Sequence, residues 1–196
     1  MAKTISIGVL ALQGAVAEHI HAIEKSGAMG VIVKRIEQLD EIDGLIIPGG
    51  ESTTIGKLIQ RYHFDVGIQA FSLHGKPVFG TCAGLILMAN EVINEESHLK
   101  LMDITVERNA YGRQQESFET NIQIKGIEKP IQAVFIRAPI IKKIGKNVEV
   151  LATYNHEIIA VKQNHLLVSS FHPELTDDCR FHSYFLDMVK KAKNTI

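Results

Sequence analysis

The amino-acid sequence predicts an α/β fold: a single domain with a mostly parallel central sheet, flanked by helices and extended by added antiparallel strands. Short apolar runs bounded by glycine or proline recur in the first half of the chain, as in strands covered on both faces. Segments with helical spacing separate these runs, and this alternation favours right-handed βαβ units. In the second half, strand-like segments follow one another across short turns, which indicates antiparallel pairing.

The first half contains four predicted strands with helices between them. The strand segments are residues 5–12, 30–36, 44–50 and 76–84. Helices are predicted from three apolar stripes, made by Ala15, Ile20 and Ile23, by Ile55, Leu58 and Ile59, and by Phe71 and Leu73. The fourth strand, over 77–80, leads directly into a helix predicted over 84–90.

The second half contains six further predicted strands and a last helix. The strands are residues 103–109, 119–124, 132–139, 147–155, 157–163 and 165–175. Residues 155–157 and 163–165 are predicted hairpin turns. The last helix is predicted over 177–192, with its buried face made by Phe181, Phe185, Met188 and Val189.

Composition limits the classes of function. A chain of 196 residues with 45% hydrophobic content can bury one core, so we expect a single domain over residues 1–196. The net charge of -1 gives no field that would attract nucleic acid. No segment reaches the roughly 18 to 20 apolar residues that span a bilayer, and no signal peptide is recognisable. We therefore predict a cytoplasmic protein, in which Cys82 and Cys179 are free thiols.

The segment "GTCAG", residues 80–84, places Cys82 between two glycines at a strand-to-helix junction. A nucleophile elbow requires such a junction, because a sharp turn exposes the nucleophile and glycines allow strand and helix to approach closely. The helix N-terminus favours a thiolate and offers the Ala83 N–H group to an oxyanion. The pattern alone is equally compatible with a small buried cysteine under a glycine turn. Cys179 follows two aspartates, which disfavour a thiolate, so we expect it to lie on a helix face.

A thiolate nucleophile needs a base that a third group orients, and "FHPEL" offers both. Pro173 favours an extended backbone before it, so His172 and Glu174 are expected to face the same way. His19 and His21 lie two apart on a predicted helix and therefore point to different faces. We expect the remaining histidines to lie on the surface or in turns, and we expect no metal or organic cofactor.

The segment "PGGEST", residues 48–53, follows a predicted strand and begins a helix. One interpretation is an ordinary turn in which Ser52 or Thr53 caps the helix. The other is a ligand site, because turns at the carboxyl ends of adjacent parallel strands meet at one crevice. The Gly50 N–H group would then be a second oxyanion donor, with Glu51 close to a cationic part of the substrate.

The segments "PGGEST", "GTCAG" and "FHPEL", in this order along the chain, resemble class I, triad-type glutamine amidotransferases, which have a flavodoxin-like fold. Across nearly the whole chain, the sequence is similar to the PdxT family, the glutaminase subunits of pyridoxal 5'-phosphate synthase. The resemblance rests on "LALQGAVAEHIHAI", "PGGESTT", "GTCAGL", "VERNAYGRQQESFE", "FIRAP" and "SSFHPELT". The "LQG" start, the alanine after the cysteine and "RNAYGRQ" separate it from the imidazole-glycerol-phosphate and GMP synthase glutaminases.

The resemblance implies hydrolysis of L-glutamine by a triad, with Cys82 as nucleophile, His172 as general base and acid, and Glu174 orienting the imidazole. The residues that match the glutamine-binding positions of the family are Gly50, Glu51, Ser52, Arg108, Ile136 and Arg137. Gln13 matches a residue at the subunit interface near the oxyanion hole. From the sequence alone, surface salt bridges would equally account for the two arginines.

The resemblance also implies a partner, the PdxS-type synthase subunit, in an assembly of twelve subunits of each kind. That subunit makes pyridoxal 5'-phosphate from ribose 5-phosphate, glyceraldehyde 3-phosphate and the delivered ammonia. By the same analogy, docking completes the oxyanion hole through a change at the peptide between Gly49 and Gly50. The alternatives are a DJ-1/PfpI-like cysteine hydrolase, a glutaminase that serves a different synthase, and a non-catalytic binding module.

Overall fold

A ten-stranded sheet lies at the centre of the computed structural model, which describes residues 4–108 and 117–195. Two further strands form a separate hairpin. The described strands are β1 (Ser6–Leu10), β2 (Met29–Val33), β3 (Gly44–Ile47), β4 (Val78–Thr81), β5 (Ala89–Val92), β6 (Met102–Glu107), β7 (Ser117–Ile122), β8 (Ile131–Ile136), β9 (Ile140–Ile144), β10 (Glu149–Tyr154), β11 (Glu157–Gln163) and β12 (Leu166–Ser169). The described α-helices are α1 (Val16–Lys25), α2 (Ser52–Arg61), α3 (Phe64–Leu73), α4 (Ala83–Met88) and α5 (Arg180–Lys193), and Ile36–Glu41 and Pro173–Leu175 are 3₁₀ helices.

The sheet has a parallel half and a largely antiparallel half. Its order is β2-β1-β3-β4-β12-β11-β9-β6-β5, with β10 paired to β11. The first five of these strands are mutually parallel. In this half, Ile47 lies opposite Gly80, and Thr81 lies opposite Ser169. The segments that follow β3, β4 and β12 therefore leave the sheet at the same edge.

Apolar side chains cover both faces of the sheet. Ile55, Ile59 and Phe64 belong to the cluster on the face covered by α2, α3 and α4. Ile23, Phe181 and Phe185 belong to the cluster on the other face, under α1 and α5. The buried strands β1, β3, β4 and β12 have no exposed side chain, which explains their continuous apolar sequences. The predicted fold class is confirmed.

Several predicted boundaries are wrong. The helix after Cys82 ends at Met88 rather than at residue 90, because Ala89 is extended and pairs with Met102 to start β5. The short strands β5 and β9 were not predicted. Both hairpins are present, since β10, β11 and β12 pair antiparallel in sequence order. The strand predicted over 165–175 ends at Ser169, because Pro173 begins a 3₁₀ turn.

The predicted burial of some helical residues also needs correction. Leu73 is 87% exposed, because it is the last residue of α3 and points away from the sheet. His182 is 2% exposed, although it was among the histidines expected on the surface or in turns, and His19, which was predicted on a helix, is 0% exposed. These two rings face each other where α1 and α5 meet. Among the described residues, no helix has both the length and the apolar character needed to span a membrane.

Candidate active site

Cys82 lies on the turn between β4 and α4, at the edge where the parallel strands end. Its φ of 49° and ψ of -100° place it in a backbone region that non-glycine residues rarely adopt. The turn is fixed because the Cys82 N–H group donates to the carbonyl of Ser169 at 2.8 Å. The thiol is 8% exposed and lies 3.9 Å from the carbonyl oxygen of Ile136. The strand–turn–helix context required for a nucleophile elbow is therefore present.

Glycine is required on both sides of this turn. A Cβ atom at Gly84 would lie 2.1 Å from the carbonyl oxygen of Ile47 in β3. A Cβ atom at Gly80 would lie 2.6 Å from the backbone of Gly84. The start of α4 therefore packs directly on the ends of two strands, which holds Cys82 in its strained conformation.

His172 and Glu174 lie on the segment that follows β12. The Nδ1 atom of His172 is 2.7 Å from Oε1 of Glu174, and both residues are buried. The backbone N–H group of His172 donates to the carbonyl of Val134, which anchors the segment on β8. An extended backbone was predicted here, but the structure does not have one. Instead, the 3₁₀ turn that starts at Pro173 brings the carboxylate back to the imidazole.

The environment of His172 favours its charged form. Burial lowers the pKa of His172, but hydrogen bonds with Cys82 and Glu174 outweigh it and raise this pKa to about 10. The arrangement is therefore suited to nucleophilic attack by Cys82 with a charged histidine beside it.

A cavity of about 350 Å³ opens in front of Cys82 and His172. Seven further residues predicted as site residues line it, namely Gly50, Glu51, Ser52, Ala83, Arg108, Ile136 and Arg137. The two predicted residues outside the lining, Glu174 and Gln13, contact the site from behind. Ile86 also lines the cavity and was not predicted. No cluster of three or more metal-binding side chains occurs within residues 4–108 and 117–195.

The loop after β3 is supported by the segment that precedes α1. The Glu51 N–H group donates to Oε1 of Gln13 at 3.0 Å. Gly14 has a φ of 107°, and a Cβ atom there would lie 1.9 Å from the carbonyl oxygen of Gly49. Gln13 and Gly14 therefore touch the loop that carries the proposed oxyanion donor Gly50.

Glu51, rather than Ser52 or Thr53, caps α2. Its carboxylate accepts hydrogen bonds from the backbone N–H and hydroxyl groups of Thr53 and Thr54. The hydroxyl of Thr53 contributes most to holding the pKa of Glu51 down, to about 2. This cap was not predicted, because Ser and Thr are preferred over Glu at the N-cap position.

Arg108 lies between two carboxylates at the cavity. Its guanidinium is 3.2 Å from Oε1 of Glu51 and 3.1 Å from Oε2 of Glu95. Arg108 thus forms salt bridges, as one interpretation predicted, and it also lines the cavity. Arg137 is exposed, has a φ of 45° and also lines the cavity. The part of "VERNAYGRQQESFE" at 109–116 lies outside the described residues.

Two buried histidines near the triad were not predicted as part of the site. His19 Nε2 lies 3.5 Å from Oε2 of Glu174, and His19 Nδ1 lies 2.9 Å from Nε2 of His182. One sequence signal was available, because His19 is three and four residues before the buried Ala22 and Ile23 and shares their helix face.

Comparison with known proteins places this geometry in a family. The model of the SNO glutamine amidotransferase family matches residues 9–191. The chain belongs to this family. The family match and the relatives below confirm the resemblance inferred from the motifs.

Relatives of the SNO family cover nearly all of the chain. The pyridoxal 5'-phosphate synthase subunit PdxT of Niallia circulans is 63% identical over 190 residues, covering 96% of this chain and 100% of that protein. The subunit of the same name from Halalkalibacterium halodurans is 57% identical, covering 96% and 97%. A crystal structure of a glutamine amidotransferase matches with a TM-score of 0.90 and 44% identity, covering 94% of this chain and 98% of that one.

Proposed function

We propose that this protein is a glutaminase that hydrolyses L-glutamine to L-glutamate and ammonia for a pyridoxal 5'-phosphate synthase. The observation that carries the proposal is the strained Cys82 beside the buried pair of His172 and Glu174 at one cavity. The family and the names of the relatives support the same reaction. Residues 1–196 are assigned to one glutaminase domain.

The first half of the reaction forms a thioester. The Cys82 thiolate attacks the side-chain amide carbon of glutamine, and the carbonyl electrons move onto oxygen. The N–H groups of Ala83 and Gly50 stabilise this oxyanion. When the C–N bond breaks, His172 gives its proton to the departing nitrogen, so ammonia leaves and a γ-glutamyl thioester remains.

The second half of the reaction restores the enzyme. His172, now neutral, takes a proton from water, and the resulting hydroxide attacks the thioester carbon. The C–S bond breaks and the thiolate returns to the imidazolium, while glutamate leaves. Glu174 keeps the imidazole oriented throughout, because it holds Nδ1 and leaves Nε2 for the substrate.

Charged groups around the cavity hold the amino-acid end of glutamine. Arg108 and Arg137 are the cations proposed to bind its α-carboxylate, since a guanidinium matches a carboxylate in geometry. Glu51 is proposed to face the α-amino group, and Ser52 and Ile136 complete the pocket. Arg108 shares its donors between Glu51 and Glu95, so it is already positioned when the substrate arrives.

The ammonia is proposed to pass to a PdxS-type synthase subunit, in the assembly of twelve subunits of each kind that the resemblance implies. Docking would complete the oxyanion hole by reorienting the peptide between Gly49 and Gly50. Gln13 is proposed to couple the interface to that loop, and its acceptance of a hydrogen bond from the Glu51 N–H group supports this role. We place the complex in the cytoplasm, in keeping with two free cysteines.

The test is release of glutamate and ammonia from glutamine, measured with and without the synthase subunit. Cys82→Ala and His172→Asn should each lower turnover by roughly 10³-fold or more, whereas Cys179→Ala should leave it unchanged. Substantial turnover by either variant would contradict the proposed catalytic triad. Equal rates of glutamine hydrolysis for the isolated chain and the complex would contradict the proposal that docking completes the oxyanion hole. The same assay separates the glutaminase from a DJ-1/PfpI-like hydrolase.

A further inference from the structure

A chain of buried polar side chains continues from the triad into the helix layer. Glu174 Oε2 is followed by His19 of α1 and then by His182 of α5, while Thr81 of β4 lies beside His19. His19 and Thr81 are 0% exposed, His182 is 2% exposed and Glu174 is 6% exposed. A polar network this deep is costly unless its hydrogen bonds are made, so its arrangement requires a physical reason.

Both histidines of this network are neutral at physiological pH. Burial, and then the neighbouring His182 and His172, lower the pKa of His19 well below its ordinary value. Burial lowers the pKa of His182 to about 4. A neutral imidazole has one N–H donor and one acceptor nitrogen, so each ring must adopt one of two tautomers.

The contacts favour one of these two arrangements. If His19 carried its proton on Nδ1 and donated it to His182, the proton of His182 would lie on its own Nδ1. That atom is buried without a hydrogen-bond partner among the described residues, and the lone pair of His19 would face the Glu174 carboxylate. In the other arrangement, His182 donates from Nε2 to Nδ1 of His19. The atom left unpaired is then an acceptor, Nδ1 of His182, which costs less free energy than a buried, unpaired N–H donor.

In the favoured arrangement, the N–H group of His19 faces the Thr81 hydroxyl, its hydrogen-bond partner, and lies beside the carboxylate of the triad without a hydrogen bond to it. Its Nε2 atom lies 3.2 Å from the Thr81 hydroxyl and 3.5 Å from Oε2 of Glu174. That carboxylate oxygen is buried and makes no hydrogen bond within the described part of the chain. The N–H dipole of His19 therefore stabilises the charge on the oxygen that His172 does not use, and it resists rotation of the carboxylate.

We propose that His19 is a positioning residue for the triad, and that His182 holds it in the tautomer whose N–H group lies between Thr81 and Oε2 of Glu174. The inference rests on the proposed glutaminase function. His19 keeps Oε1 of Glu174 on the His172 imidazole while touching neither the substrate nor the reacting atoms. The titratable groups that face it are Glu174, His172 and His182, and those that face His172 are Cys82 and Glu174.

The first test is glutamine turnover by the full chain with its synthase subunit. His19→Phe removes the N–H donor, and His19→Asn keeps a polar group but stops short of the Nε2 position. Both should lower kcat by roughly ten- to a hundredfold with little change in KM, the size of effect seen when groups that orient metal ligands are removed. His19→Gln, whose amide reaches the Nε2 position, should recover most of kcat. The control is His21→Phe, an exposed residue on the same helix, which should equal the wild type.

The pH profile distinguishes positioning from loss of structure. If Glu174 is less firmly held, the pKa of His172 falls, so the pH dependence of kcat should shift to lower pH in His19→Phe and His19→Asn and return in His19→Gln. Folded His19→Phe and His19→Asn variants with the wild-type kcat and profile would overturn the inference. The proposed function would still stand after that outcome if the wild type hydrolyses glutamine and Cys82→Ala does not.

A second measurement needs no turnover and therefore stands even if glutamine is not the substrate. In protein labelled with ¹⁵N-histidine, NMR reports which nitrogen of each neutral ring carries the proton. The inference requires the Nε2–H tautomer for both His19 and His182, with assignment by the His19→Gln and His182→Gln variants. An Nδ1–H tautomer at His19 would overturn it.

Discussion

Cys82 depends on the glycines around it as much as on its own chemistry. Besides Gly80 and Gly84, Gly49 packs on the site, since a Cβ atom there would lie 2.5 Å from Cε1 of His172. The strained φ of Cys82 persists because these close backbone contacts leave the turn no alternative. A side chain at any of the three would displace the nucleophile, the base or the start of α4.

Gly84→Ala should lower the free energy of unfolding by about 3 kcal/mol, because its Cβ atom would overlap the backbone of β3. Glutamine turnover should fall further than stability alone explains, since Cys82 would move with α4. Gly27→Ala is the matched control, because nothing lies within 4 Å of its Cβ position and only its φ of 90° is strained. It should cost about 1 kcal/mol and leave turnover unchanged. Chemical denaturation and the glutaminase assay measure both, and equal effects of the two substitutions would contradict this account.

Helix α2 depends on the Glu51 cap, and the pKa of that carboxyl makes the cap sensitive to acid. Glu51→Ala should cost about 1 kcal/mol at pH 7. Because the pKa of Glu51 in the folded chain is about 2, below the ordinary 4.5, its stabilisation is present above pH 4.5 and is lost as pH falls through 2. The difference in unfolding free energy between wild type and Glu51→Ala should therefore shrink below pH 4.5.

Glu18→Ala is the control for this measurement, because Glu18 lies in the first turn of α1, where no side chain caps the helix. Its effect should be only a few tenths of a kcal/mol. A Glu51→Ala cost that is absent at pH 7, or that grows toward pH 2, would contradict the capping role.

His182, at the contact between α1 and α5, should lower the stability of the protein as the pH falls. This loss should begin at a higher pH than the loss caused by protonation of the carboxylates. The pKa of His182 in the folded chain is about 4, below the ordinary 6.5, so unfolding takes up a proton between these values. Stability is therefore complete above pH 6.5 and falls toward pH 4, by at most about 3 kcal/mol from this residue. His182→Phe should flatten the loss in thermal unfolding at pH 4 to 7, and an unchanged slope would contradict the neutral, buried state. His156→Phe, at an exposed turn, should keep the wild-type slope.

Across the molecule, the sequence reports best on features whose parts lie close together in the chain. The elbow at Cys82 and the pair of His172 and Glu174 could be predicted because each occupies one short segment. The contact between His19 and His182 could not, because 163 positions separate them and each alone looks like an ordinary helix residue. The strands β5 and β9 are short, and pairing with β6 defines both.

The two glycine-bearing turns illustrate the same division. Each turn is evident from its own residues, but their meeting at one cavity follows from the order of β3, β4 and β12 in the sheet. The predicted orientation of His172 and Glu174 was right for a wrong local reason, since a 3₁₀ turn rather than an extended chain brings them together. Pro173 begins that turn within the motif, and a backbone hydrogen bond from His172 to Val134 of β8 anchors it from outside the motif.

The central claim, that Cys82 attacks the side-chain carbon of bound glutamine, is tested most directly by an affinity label. A glutamine analogue with a diazoketone in place of the amide should take a proton from the His172 imidazolium at its diazo carbon. The thiolate then displaces N₂ from that carbon, which leaves a thioether on the sulfur. Peptide mass spectrometry of the chain with its synthase subunit should find the label on Cys82 alone, suppressed by excess glutamine. Cys179 serves as the internal control. Labelling of Cys179 instead, or unchanged labelling in Cys82→Ala, would contradict the account.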